Sequence, residues 1–216
     1  MKIHLLPPLM SLVLTAALMP ANSQAQLKIT EVESSEAGSG KADWFELSNF
    51  GSTSVDITGY KIDDNSHTFG LSVPLTGVTI LTAGESAVFF EVSGGTPLTV
   101  SGFRTWWGLG SSVQVGTYSG SGVGLSAAAD EVNIYDSTGT LINGVGFSTA
   151  TPGVTFGWNP TTQTFGALSS NGVFGAYVAP VDGDIGSPGV VPEPASFAML
   201  GLGAAMWIAR RRLASR

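Results

Sequence analysis

Along the middle of the chain, apolar residues recur at every second position in short bursts bounded by Gly, Asp, Asn, Ser or Thr. The clearest bursts are LKITEVE (27–33), DWFELSN (43–49), SVDITGYKI (54–62), SAVFFEV (86–92), EVNIYD (131–136) and TLINGVGF (140–147). A period of two marks a strand with its two faces in different surroundings. In DWFELSN it sends Phe45 and Leu47 to one face, Trp44 and Glu46 to the other. Asp136-Ser137-Thr138-Gly139, between the last two bursts, predicts a hairpin connection. No helical crossover pattern separates the bursts, so an antiparallel β-sandwich is expected rather than a parallel α/β fold.

Two stretches fit this rhythm less well. Gly94 to Gly124 is weakly patterned yet holds Phe103, Arg104, Trp106 and Trp107. Disordered linkers are poor in aromatics, so an ordered insertion packed over one end of the sandwich is expected. Core or lid packing outweighs the binding reading, in which Trp106 and Trp107 would contact a sugar or a partner. Further on, Phe156-Gly157, Phe165-Gly166 and Phe174-Gly175 stand nine residues apart. Three copies are too few for a solenoid, and short strands with Phe inward and Gly at each bend account for them.

The ends follow a different logic. MKIHLLPPLMSLVLTAALMPANSQAQ begins with Lys2, continues apolar from Leu5 to Leu18, and finishes in small and polar residues. This is the order of a secretory signal, with the expected cut after Ala25, so that 1–25 is the signal peptide. At the other end the charge-free run Ala195 to Ala209 has 15 residues, about 22 Å as a helix against a hydrocarbon core of about 30 Å. It suits a brief membrane anchor, with Arg210, Arg211 and Arg212 as the cytoplasmic stop by the positive-inside rule.

Charge sharpens the division. Between Gln26 and Val191 stand 4 basic and 15 acidic residues, a net charge of −11. Such a body repels phosphate backbones, which disfavours nucleic acid as a partner. The absence of cysteine removes disulfides, thiolate nucleophiles and Cys-ligated metals. His67 is the single histidine after the expected cut, and no G-x-S-x-G elbow accompanies it, so neither a Ser-His-Asp triad nor a His-rich metal site is predicted. Asp63 and Asp64, or Asp182 and Asp184, could offer oxygen ligands to Ca²⁺, but neither cluster has EF-hand spacing and both suit turns. No cofactor is expected.

Val191-Pro192-Glu193-Pro194, the apolar run and the arginine cluster, in that order, resemble the PEP-CTERM sorting signal of bacterial exported proteins. The resemblance implies recognition by a membrane-embedded exosortase, transient residence in the inner membrane, and release or transfer to the cell exterior. ITEV (29–32), DWFELSN, VDITGYKIDD (55–64), LTAGESAVFF (81–90), GLSAAADEVNIYDSTG (124–139) and GSPG (186–189) in turn resemble the lamin-tail domain. That family implies an immunoglobulin-like antiparallel β-sandwich, placed here at 26–189, with the sorting tail at 190–216. The chain is therefore expected to be an all-β, non-enzymatic protein of the envelope or extracellular matrix, at the cell surface or beyond it. Its expected role is a binding or structural module, with an exopolysaccharide or a surface protein as partner. The competing expectations are a secreted carboxylate-dependent hydrolase of polysaccharide or phosphoester, and a carbohydrate-binding module.

Overall fold

The computed structural model describes residues 27–38, 41–93 and 98–190. The expected signal peptide, the motif Val191 to Pro194, the apolar run and the Arg210 to Arg212 cluster lie outside the described residues.

Among the described residues, fourteen strands and one helix build an immunoglobulin-like β-sandwich. Its larger sheet is formed by β1 (Leu27–Glu33), β2 (Trp44–Asn49), β7 (Ser86–Val92), β8 (Gln114–Ser119), β11 (Phe156–Asn159) and β12 (Thr164–Leu168), in the order β12-β11-β1-β2-β7-β8. The smaller sheet has the order β10-β9-β4-β5, from β4 (Lys61–Asp63), β5 (Val73–Pro74), β9 (Asp130–Tyr135) and β10 (Leu141–Phe147). Two short pairs complete the strands: β3 (Val55–Asp56) with β6 (Ile80–Leu81), and β13 (Tyr177–Val178) with β14 (Ile185–Gly186).

Between the sheets lies the main core. The large sheet contributes Leu27, Ile29, Val32, Phe45, Leu47, Ala87, Phe89, Tyr118 and Phe156, the small one Ile62, Val132, Ile134 and Phe147. Alternation delivers these side chains inward along the strands, except in β1, where Ile29 and Val32 both reach the core across a register shift. SVDITGYKI departs from the expected single strand: a turn at Gly59, with φ +78°, breaks it, and β3 and β4 join different sheets.

A second departure is the insertion, which covers the outer face of the large sheet rather than an end of the sandwich. It contains the helix α1 (Val100–Trp107). Thr99 caps its start by accepting from the Gly102 N–H at 3.0 Å, and Gly108, at φ +67°, closes it in the left-handed region. Phe103, Trp106 and Trp107 from α1 join Trp44, Val88, Phe90, Val115 and Ala179 in a second apolar layer. The helix also serves as the crossover that lets β8 run parallel to β7, against the otherwise antiparallel pairing of this sheet. Of the three Phe-Gly pairs, Phe156 is inward, whereas Phe174 is about half exposed and sits in a turn at φ +49°.

Candidate functional site

The most unusual chemistry in the body is a set of buried carboxylates on the outer face of the large sheet. Strict alternation along LKITEVE would put Glu31 on the same side as Ile29, inside the main core. A β-bulge prevents this: the register with β2 shifts between Ile29 and Glu31, so that Ile29 faces Leu47 and Glu31 faces Glu46. The extra residue turns Thr30 and Glu31 outward together and returns Val32 to the core. Glu31 and Glu46 thereby become cross-strand neighbours, both fully buried beneath the outer layer.

Donors for these carboxylates come from within the sheet, from Thr155 and from the segment 187–189. Glu31 Oε1 accepts from the Ser187 N–H at 2.6 Å and from the Thr155 hydroxyl at 2.6 Å, and Glu31 Oε2 accepts from the Ser187 hydroxyl at 3.1 Å. Glu46 Oε2 accepts from the Gly189 N–H at 2.6 Å, and Glu46 Oε1 from the Thr30 hydroxyl at 2.6 Å. Glu33 accepts from the indole N–H of Trp44, and Asp184 from that of Trp106 at 2.6 Å and from the Ala37 N–H at 2.8 Å. Residues 184–190 thus form a strap clamped across the sheet by acidic side chains. The two strap N–H groups that reach the glutamates, those of Ser187 and Gly189, flank Pro188, which has no N–H to offer.

Electrostatics make the clamp unusual. Burial raises the Glu31 carboxyl from 4.5 to about 7, against the lowering effect of its donors Thr155 and Ser187. Burial, and then the neighbouring charge of Glu31, raise Glu46 from 4.5 to about 8. Burial first and Asp184 next also push Glu33 well above the usual range. The body's four basic residues are engaged elsewhere: Lys28 over Trp158, Lys41 with Asp182 and Trp106, Lys61 over Phe69, and Arg104 with the Gly110 and Val113 carbonyls. Glu31 and Glu46 are held by neutral donors, an arrangement that fixes the backbone of the strap.

Of the residues singled out from sequence, Trp106 and Asp184 meet at 2.6 Å, while the Asp63–Asp64 pair and His67 lie elsewhere, at the end of β4 and in the loop after it. Trp106 and Trp107 are buried, about 1% and 0% exposed, so neither indole presents a face to a ligand. Asp63 is buried and accepts from the Ser66 hydroxyl and the Thr68 N–H, while Asp64 accepts from the Ser66 N–H. Asp182 pairs with Lys41 at 3.0 Å. Among the described residues no group of three or more His, Cys, Asp or Glu stands close enough to hold a metal ion. His67 is exposed and lies 2.8 Å from Glu131.

The clamp itself went unread in the sequence, although its parts lie in three of the quoted segments: ITEV carries Glu31, DWFELSN carries Glu46, and GSPG carries Ser187 and Gly189. One signal was available, the broken alternation of Ile29, Glu31 and Val32, which betrays the bulge. A family model described as Lamin Tail Domain matches residues 20–149, and one described as PEP-CTERM protein-sorting motif matches residues 190–212. Comparison with curated proteins finds no match.

Proposed function

Because the chain belongs to the lamin-tail-domain family, a non-enzymatic immunoglobulin-like fold, and carries a sorting motif that implies an exported, exosortase-processed protein, we propose that it is a binding or structural module of the envelope or extracellular matrix. The observation that carries this reading is the join between the two parts. The motif match begins at residue 190, and the folded body is clamped by Glu31 and Glu46 through Gly189. The body is thus a compact cargo attached directly to its address label.

The chemistry supports cargo rather than catalyst. The Glu31 and Glu46 carboxylates are occupied by backbone and hydroxyl donors, and His67 is exposed beside Glu131. The partners in this reading are the processing enzyme, the inner membrane for the lifetime of the precursor, and an exopolysaccharide or surface protein afterwards. The net charge of −11 across residues 26–191 disfavours nucleic acid.

Fractionation of cells producing the intact chain or the Pro192→Ala/Pro194→Ala variant tests the sorting step. The variant is expected to accumulate at precursor size in the membrane fraction, and an unchanged mature size and location would overturn the reading. For the non-enzymatic role, the purified body is expected to show no turnover on glycan and phosphoester panels with or without Ca²⁺.

A further inference from the structure

Up to Ile185 the strap is held by ordinary backbone pairing: the Ile185 N–H donates to the Gly153 carbonyl at 2.8 Å, and the Thr155 N–H donates to the Ile185 carbonyl at 3.0 Å. From Ser187 onward its attachment to the sheet passes to side chains, through the Ser187 N–H and hydroxyl on Glu31 and the Gly189 N–H on Glu46. Beside these three hydrogen bonds the strap end is held by packing alone: Pro188 is buried, Gly189 lies against Val113 and Val190 against Gly175. A cleft of about 220 Å³ reaches the strap at Ser187, bordered there by Thr30, Gly157, Ser169 and Ala176.

We propose that the Glu31–Glu46 clamp is a gate on processing of the sorting tail: the strap end must leave the two carboxylates before the processing enzyme can take the chain. The proposal rests on the sorting reading above. Residue 190 is at once the end of the clamped strap and the first residue of the matched motif. A processing enzyme needs a segment free of the fold, and attack on a folded chain follows the population of its locally opened form. While docked, Ser187 and Gly189 have their N–H groups committed to Glu31 and Glu46, and Val190 turns back to donate to the Ser187 carbonyl at 3.0 Å. The flank just before the motif is then held on the sheet. Undocking exposes it without unfolding the sandwich, since the strap contributes nothing to the main core between the sheets.

The packing supplies its own test. A Cβ placed on Gly189 would stand 3.4 Å from the Val113 Cβ, and one on Gly175 would stand 3.4 Å from the Val190 Cβ. Both are close to disulfide spacing, and the protein has no cysteine to compete. Val113→Cys/Gly189→Cys and, independently, Gly175→Cys/Val190→Cys would staple the strap shut when oxidised. In isolated membranes of producing cells, the oxidised precursors are expected to convert to mature size at least about tenfold more slowly than the unaltered chain, and after reduction to convert at the unaltered rate or faster, since each pair places a side chain on a glycine of positive φ. Reversal by reductant shows that the stapled body is folded. Gly189→Ala should act in the opposite direction. At φ +79° and with Val113 Cγ1 only 2.7 Å from the new methyl, it drives the strap outward and speeds conversion. Stapled chains that convert at the unaltered rate overturn the gate. The Pro192→Ala/Pro194→Ala chain, run in parallel, separates the two readings: if it too converts normally, the sorting reading itself fails. If it alone is blocked, only the gate fails.

Discussion

Glu31 and Glu46 carry protons to a pH at which carboxylates in water have lost theirs. Both are raised from 4.5, to about 7 and about 8, chiefly by burial. The folded chain therefore keeps protons that the unfolded chain releases above its ordinary carboxylate range. The contribution of these groups is fully present below about pH 4.5 and is lost as pH rises through 7 and 8. Thermal melts are expected to fall in midpoint from about pH 5 to about pH 9, and Glu46→Gln, which keeps an acceptor for Gly189 but cannot ionise, should flatten that fall. A melt series in which Glu46→Gln follows the unaltered chain at every pH would show that this carboxyl does not carry the dependence. In sequence these glutamates look like the polar half of an amphipathic strand. Their burial depends on the strap arriving 156 residues later, from Glu31 to Ser187, which no local pattern reports.

The same limit applies to elements. The long strands β1, β2, β7, β9 and β10 are legible because each carries spaced apolar side chains for the main core between turn residues. The helix α1 is not, because eight residues give two turns and too short a period to recognise, although Thr99 and Gly108 mark its caps. Its anchor is Phe103, stacked on Phe90 at 5.2 Å and edge-on to Trp44 and Trp106 at 5.8 and 5.4 Å. Phe103→Ala is expected to cost about 3–5 kcal/mol by chemical denaturation, while Thr99→Ala, which removes the cap alone, should cost about 1 kcal/mol. If both cost the same, α1 is held by its cap rather than by its packing.

At the scale of the molecule, the body does not end where the family match ends. Residues after 149 supply β11, which pairs with β1 through Glu31↔Gly157 and Val32↔Phe156, and Phe156 itself enters the main core. They also supply the strap that satisfies Glu31 and Glu46. A chain cut after residue 149 leaves the edge of β1 that faces β11 unpaired and removes the strap that binds Glu31 and Glu46. It is expected to be insoluble or to lack a cooperative melt, whereas residues 27–190 should fold with a single transition. A cooperative melt from the shorter chain would limit β11 and the strap to decoration.

The sequence by itself determined the class of fold, the acidity of the body, the absence of cysteine chemistry and the sorting tail. Each of these is written in composition, in a period of two, or in a contiguous motif, so each is local information. Tertiary structure alone decided that Trp106 and Trp107 lie beneath the surface, that α1 roofs a sheet face, and that ITEV, DWFELSN and GSPG meet at one clamp. Those outcomes depend on which distant segment closes over which face. A side chain's burial and its proton affinity are set by that closure, and not by its neighbours in the chain.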